Sequence, residues 1–143
     1  MALPSVGGGF QIGDGNLNEV TIGDQGTVTA LTGAANTLTA AQLTANIITI
    51  NGGTAAASVI TVPTGAQLDA LLTNAKIGST FDVSIINIST VSSETANLAV
   101  ATGVTFVGNV YIAYGSSSAV AASSALFRFV RSAAATWVGY RIC

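Results

Sequence analysis

The sequence predicts an all-β protein. The expected fold is an antiparallel β-sandwich or jelly-roll-like barrel with one short helix at about 65–75 and an extended N-terminal arm. Three observations support this. Short runs rich in β-branched residues recur along the chain, separated by Gly- and Asn-containing turn signals. One longer stretch has the apolar spacing of a helix. The first 36 residues are rich in glycine and contain only short apolar pieces.

The 143 residues suit one folded domain with one core. We divide the chain into a Gly-rich arm at 1–36 and a β-sandwich domain at 37–143. A glycine-rich segment loses much conformational entropy when it orders, so we expect the arm to order on another surface, and a tail without a binding surface is the alternative. The contact candidates in the arm are Phe10, Ile12, Asp14, Glu19, Val20, Ile22 and Asp24.

The domain begins with two β-branched runs, "NIITI" at 46–50 and "SVITV" at 58–62. The sequence Asn-Gly-Gly at 51–53 is a hairpin turn signal, so we expect these two strands to pair. Upstream of them, Thr39 is placed to cap a single helical turn at 40–43.

The longer helix follows Pro63, which cannot continue a central strand. Thr64 is a suitable N-cap, and Gly78 a plausible stop. Its apolar stripe consists of Leu68, Leu71 and Leu72. So short a helix is not stable alone in water, so we expect the stripe to cover an open end or a face of the sheets.

The second half of the chain reads as further short strands. The segment "TFDVSIINIS" at 80–89 is apolar on both faces, which indicates a central strand. The chain ends in a predicted hairpin with strands at 125–131 and 136–142. In its second strand, Val138, Tyr140 and Ile142 share one face, and Trp137 and Arg141 share the other. We find no repeat with a fixed period.

Charge is scarce. Only 7% of residues are charged, against about 25% in ordinary soluble domains. We expect part of the surface to be buried against other chains, with Ser, Thr, Asn and Gly keeping the rest wet. A net charge of −2 without a basic cluster argues against nucleic acid as a partner. The apolar runs are too short to span a membrane, and the N-terminus lacks a secretory signal, so we expect no Sec export.

Three of the four basic residues fall in the last hairpin, whereas the arm is acidic. We therefore expect this hairpin to contact a neighbouring subunit or a partner that carries carboxylates. Solvated strand positions are the alternative. The contact candidates here are Arg128, Arg131, Trp137 and Arg141.

Catalytic chemistry is hard to find. The chain has no histidine, which removes the Ser-His-Asp and Cys-His arrangements and the commonest metal ligand. The six carboxylates are scattered, and "DGNLNE" at 14–19 lacks the Gly and Glu that a calcium loop needs. The lone Cys143 cannot form an intrachain disulfide. We predict no catalytic residue, no cofactor, no metal and no small-molecule substrate.

Five segments resemble a family of small β-rich proteins found on the virions of tailed bacteriophages and some large viruses. They are "LTAAQLTANIITINGG", "ITVPTGAQLDALL", "IGSTFDVSIINIS", "ATGVTFVGN" and "FRFVRSAAATWVGYRI". The resemblance covers residues 38–142. Members of the family look like capsid decoration (cement) proteins or surface fibre components, with no catalytic residues to transfer.

The resemblance implies a non-enzymatic homotrimer on the outer capsid surface, with the major capsid protein as its partner. The low charge agrees with close packing against other chains. The alternative is a fibre or tail-tip module that binds host glycans through exposed aromatic rings, for which the candidates are Tyr111, Tyr114, Trp137 and Tyr140. A small hydrolase is the third alternative.

Overall fold

The computed structural model describes residues 27–53, 57–115 and 123–143. The arm candidates lie outside these ranges: Phe10, Ile12, Asp14, Glu19, Val20, Ile22 and Asp24. In chain order, the described elements are β1 (Thr29–Thr32), β2 (Ala35–Thr37), α1 (Ala40–Leu43), β3 (Ile47–Asn51), β4 (Ser58–Thr61), α2 (Gly65–Leu71), β5 (Thr80–Asn87), β6 (Ala96–Ala99), β7 (Val104–Val107), β8 (Tyr111–Ile112), β9 (Ser124–Ala133) and β10 (Thr136–Arg141).

The strands form two sheets. Sheet A has the spatial order β1-β3-β5-β9-β10-β7, and sheet B the order β2-β4-β6-β8. From β1 to β6 the chain alternates between the sheets, and each return adds a parallel strand beside the previous one. This is the connectivity of a short parallel solenoid. The helices α1 and α2 both carry the chain from sheet B back to sheet A.

This topology confirms a β-rich, two-sheet fold and corrects the strand pairing. Of the pairings in the described part of the chain, five are parallel and three antiparallel, so the predicted antiparallel pairing is wrong for most strands and a jelly roll is not confirmed. The hairpin predicted around 51–53 is also wrong, because β3 and β4 lie in different sheets. A turn signal shows that the chain changes direction, but not whether the next strand pairs with the last or crosses to the facing sheet.

One coil of the solenoid runs from a strand of one sheet, through the facing sheet, to the next strand of the first sheet. The coils differ in length, which is why no fixed period is visible in the sequence. In sheet A, Thr29 is opposite Ile48, and Ile48 is opposite Ile85. In sheet B, Ala35 is opposite Val59, which is opposite Asn97 in turn. The first coil is thus much shorter than the second, because α2 and its following turn are longer than α1 and its turn.

The core lies between the two sheets and is one continuous apolar cluster. Each strand of sheet A contributes alternate residues, such as Ile48 and Ile50 on β3 and Phe127 and Phe129 on β9, all almost completely buried. Sheet B faces them with Ile60 and other apolar side chains. The strand predicted to be central, β5, does lie between β3 and β9.

The N-terminal boundary and the longer helix need correction. Strands β1 and β2 belong to the sheets, so the arm predicted at 1–36 extends too far into the folded unit. The helix ends at Leu71 rather than near 75, and Leu71 is exposed, whereas Leu68 is fully buried in the core. The helical turn predicted at 40–43 is confirmed as α1, so the described chain has a second helix.

Both helices begin with the same N-terminal capping arrangement. Thr39 and Thr64 each accept a hydrogen bond from the backbone N–H three residues later, and the Gln at that position accepts one from the threonine N–H. This is a capping box, which satisfies backbone donors that a helix start otherwise leaves unpaired. The coil repeat is visible in the sequence as the pattern Thr-x-Ala-Gln-Leu, which occurs at 39–43 and again at 64–68.

We expect Thr64→Ala to lower the free energy of unfolding by about 1 kcal/mol, because it removes the N-cap acceptor of α2. Urea denaturation followed by circular dichroism measures this loss. Thr73→Ala is the matched control, since Thr73 is exposed and lies beyond the helix. Equal stability of the two variants would show that the cap contributes nothing.

Candidate interaction surface

The outward side of sheet A is a broad, six-stranded surface on which apolar side chains remain uncovered. We call it the outer face. It carries the alternate residues that point away from the core on all the strands of that sheet. On β7, β10 and β9 these are Thr105, Val107, Val138, Tyr140, Leu126, Arg128 and Val130, and on β5, β3 and β1 they are Thr80, Asp82, Ser84, Ile86, Ile47, Thr49, Ala30 and Thr32.

The apolar residues concentrate on the β10 side of the outer face. Tyr140 is opposite Val107 on β7 and opposite Arg128 on β9. Tyr140 remains 39% exposed, Val107 52% and the following Ile142 also 52%. A soluble monomer rarely leaves a contiguous patch of this kind uncovered, so such patches often mark interaction sites.

An ion pair lies in the middle of the outer face. Arg128 donates two hydrogen bonds of 2.8 Å to the two carboxylate oxygens of Asp82, across the β5–β9 pairing. These bonds lower the pKa of Asp82 against the opposing effect of burial, and they raise the pKa of Arg128. Both side chains are still about half exposed. As a surface pair they add little to monomer stability, but they fix one charge of each sign on the face.

A depression of about 450 Å³ surrounds this ion pair. Its lining includes Ile47, Ser84, Leu126, Asp82 and Arg128, all from the outer face. Tyr140 stands on the neighbouring strand, directly opposite Arg128. The outer face therefore combines an exposed aromatic side chain with a concave, partly apolar depression.

Arg131 was predicted to be a contact residue, but it is used within the chain. It donates from Nε (3.0 Å) and Nη2 to the carboxylate of Asp69 on α2, and from Nη1 to the backbone oxygen of Ala75. Its side chain is only 19% exposed. Arg131 therefore attaches the last hairpin to α2 and is not available to a partner.

Trp137 was also predicted as a contact residue and as a sugar-stacking ring, and both interpretations are corrected. Its side chain is completely buried. The indole Nε1 donates a 2.8 Å hydrogen bond to Asp69, and the ring packs at 56° against Phe81 with centroids 5.5 Å apart. The sequence indicated correctly that Trp137 and Tyr140 face opposite sides, but not which side was the core.

Asp69 holds the last hairpin against α2, and sequence reasoning missed this role. Besides Arg131 and Trp137, the backbone N–H of Ala135 donates to it at 2.8 Å. We call these four residues the Asp69 cluster. The hydrogen bonds from Arg131 and then from Ala135 are the main causes that lower the pKa of Asp69 from 3.8 to about 2. In the sequence Asp69 is only a polar residue off the leucine stripe, and its partners follow more than 60 positions later.

The Asp69 cluster predicts a specific acid sensitivity. The pKa of Asp69 is lower in the folded protein than in the unfolded chain, so its stabilising effect is complete above pH 3.8 and disappears as the pH falls through about 2. Asp69→Asn should therefore be less stable than the native protein at neutral pH, and the difference should shrink between these two values. Urea midpoints across this range measure it. A difference that stays constant with pH would contradict the assignment.

Arg141 bridges the ends of the two sheets. Its Nη1 donates to the backbone oxygens of Asn109 and Tyr111, and its Nε donates to the backbone oxygen of Cys143. These bonds hold the β7–β8 connection against β10. Arg128 is thus the predicted arginine that lies on the outer face, Arg141 lies at the rim where the sheets end, and Arg131 is internal.

A second polar cluster sits inside the connection between β5 and β6. Ser89 donates from its hydroxyl to the carboxylate of Glu94, while Asn87 donates at 2.8 Å to the Glu94 backbone oxygen. All three residues are buried. Because these groups satisfy one another, the cluster orders a long turn and does not form an open site.

Comparison with known proteins gave no match to this chain. No protein-family model, no curated protein and no solved structure matches it. Within the described ranges, no group of three or more His, Cys, Asp or Glu side chains is arranged to hold a metal ion. None of the helices described is long and apolar enough to cross a bilayer.

Proposed function

We propose that this protein is a non-enzymatic virion structural protein. In this proposal it decorates the outer surface of a capsid as a homotrimer and stabilises contacts between major capsid subunits. The observation that carries the proposal is the outer face: a broad, partly apolar surface with a single ion pair among its described residues, which assembly into a homotrimer would cover. We name the capsid as the partner because residues 38–142 resemble virion proteins.

A binding function suits such a surface better than turnover. A shell offers many identical sites, so a multivalent protein binds firmly even when each contact is weak. The solenoid contributes a rigid support, because each coil is tied to the next by main-chain hydrogen bonds. Rigid subunits lose little conformational entropy when they assemble.

The test is localisation and binding on virions that contain the protein. We expect immunogold label spread evenly over the head, and recombinant protein that cosediments with stripped heads up to a fixed stoichiometry. Gold confined to tails or to sparse projections would contradict the proposal, as would cosedimentation that does not saturate.

The predicted role of the arm can be tested in the same assay. A truncation that removes residues 1–26 leaves every described strand in place, whereas removal of 1–30 would cut into β1. We expect the truncated protein to stay folded and trimeric but to lose capsid binding. If it saturates heads like the full chain, the arm does not provide the docking contact.

A second candidate function keeps one specific observation in its favour. Tyr111 and Tyr140 are both exposed, by 42% and 39%, and exposed aromatic rings can stack on sugars. A fibre or tail-tip module that binds host glycans would lose binding when both tyrosines are replaced by alanine. Trp137 is buried and Tyr114 is half-buried, so this function rests on Tyr111 and Tyr140. A glycan array probed with native and doubly substituted protein decides it, and absence of any native signal would remove this candidate.

A further inference from the structure

We infer that the outer face is where copies of this chain meet, with Tyr140 of one copy seated in the depression around Asp82 and Arg128 of the next. The inference rests on the proposed homotrimer and names the surface that builds it. It assigns the outer face to subunit contact, which leaves the capsid contact to other parts of the chain.

Shape is the first argument. The exposed Tyr140 and the depression lie on the same face but on different strands, with Tyr140 on β10 and most of the depression on β5 and β9. Tyr140 is not among the residues that line the depression of its own copy, so the depression is open to a side chain of another copy. Tyr140 of a neighbour can fill it, and a contact between two different patches closes into a ring when copies are related by rotation.

Chemistry is the second argument. The depression offers the apolar side chains of Ile47 and Leu126 beside the charged pair. A tyrosine matches this mixture: its ring can pack on the apolar groups and over the guanidinium of Arg128, and its hydroxyl can donate to the carboxylate of Asp82. Tyrosine is also among the residues most enriched at the centres of protein interfaces.

Charge is the third argument, and it favours a second copy over a foreign partner. The outer face carries one arginine and one aspartate and is therefore neutral. A strongly basic or acidic partner would gain nothing from such a face. Another copy presents the same neutral surface, so two copies meet without like-charge repulsion.

Area is the fourth argument. The six strands of the sheet, about 4.8 Å apart and on average about six residues long, give a flat projection on the order of 600 Å². Side-chain relief increases the accessible area above this value. In a ring each copy divides this face between two neighbours, so each contact falls at the small end of specific interfaces, below the value of about 800 Å² per partner for a standard one. Closure of the ring strengthens such small contacts, because every copy is held on two sides.

The test is the association state of the purified full chain, with no capsid present. By sedimentation equilibrium we expect native protein to be trimeric. Tyr140→Ala should raise the concentration for half-dissociation by about 30-fold or more, as for a central interface tyrosine. Tyr111→Ala is the matched control, because Tyr111 is equally exposed but belongs to β8 in sheet B, and it should leave association unchanged.

A second variant tests the depression instead of Tyr140. Ser84 lines the depression and points outward, so Ser84→Trp should fill the depression and block association in the same assay. Circular dichroism melts check that each variant is folded. The inference fails if native protein is monomeric, or if Tyr140→Ala and Ser84→Trp both associate like Tyr111→Ala.

The two proposals fail in different ways. Native protein that forms the Tyr140-dependent trimer but does not bind heads would overturn the capsid function and leave the interface standing. Protein that saturates heads while Tyr140→Ala stays trimeric would overturn the interface and leave the capsid function standing.

Discussion

Replacing Trp137 by alanine should lower the free energy of unfolding by about 3–5 kcal/mol, the range for deletion of a fully buried aromatic side chain. Small domains are stable by only about 5–15 kcal/mol, so the variant should be close to unfolding at room temperature. The loss has two parts. The core loses the ring that packs on Phe81, and Asp69 loses one hydrogen-bond donor.

Equilibrium unfolding in urea, followed by far-UV circular dichroism, measures this loss. Trp137→Phe is the matched variant: it retains an aromatic ring in the core and removes the indole N–H, so its loss should be distinctly smaller. Native-like stability of Trp137→Ala would mean that the ring is not in the core. Any loss of glycan binding in this variant would report unfolding, not a missing sugar contact.

Gly65→Ala should be the second strongly destabilising change, by about 3 kcal/mol or more. At an ordinary helix position this substitution stabilises by up to about 1 kcal/mol, so the expected sign is reversed. The reason is that a Cβ at Gly65 would overlap the backbone oxygen of Ala135 and crowd that of Gly103. Backbone atoms cannot move aside like a flexible side chain, and overpacking of this kind is costly.

The crowded point is where three segments converge. Gly65 begins α2, its N–H donates to Thr102, and Gly103 accepts from the N–H of Trp137. The hairpin tip at Ala135 closes over both glycines. A side chain at Gly65 should therefore push the tip away and separate Ala135 from Asp69.

Gly78→Ala controls for the loss of glycine itself. Gly78 has a positive φ of 90° but open space around it, so alanine there should cost only about 1–2 kcal/mol of backbone strain. Hydrogen exchange at residues 134–137 gives the second readout. Gly65→Ala should lose protection there and Gly78→Ala should not. Equal stabilities of the two variants would show that the close approach does not matter.

Several elements of the fold were predictable because their signals are local. Residues that are close together in the chain specify the capping threonines, the strand at 80–87 and the final hairpin. The alternation of the last strand also separated Trp137 from Tyr140. These signals indicated a two-sheet β protein, and they located the hairpin that carries part of the outer face.

The path of the chain was not predictable in the same way. Whether β3 pairs with β4 or with β5 is not a local property, because both strands bring apolar side chains to the shared core. The observed pairing joins residues 37 positions apart, from Ile48 to Ile85. Unequal coil lengths removed the periodic signal that identifies most solenoids. The arginines illustrate the same limit for the site, since Arg128 and Arg131 differ by three positions yet one is exposed and the other is bound to α2.

A β-rich domain with scarce charge, helix starts at Thr39 and Thr64, and a final strand with Trp137 and Tyr140 on opposite faces all follow from the amino-acid sequence. The folded chain adds that parallel coils build the sheets, that Asp69 joins α2 to the hairpin, and that Tyr140, Asp82 and Arg128 share an outward surface. The physical reason is range. Caps and alternation depend on neighbours in the chain, whereas burial, ion pairing and the composition of a face are set by residues that folding brings together from distant positions.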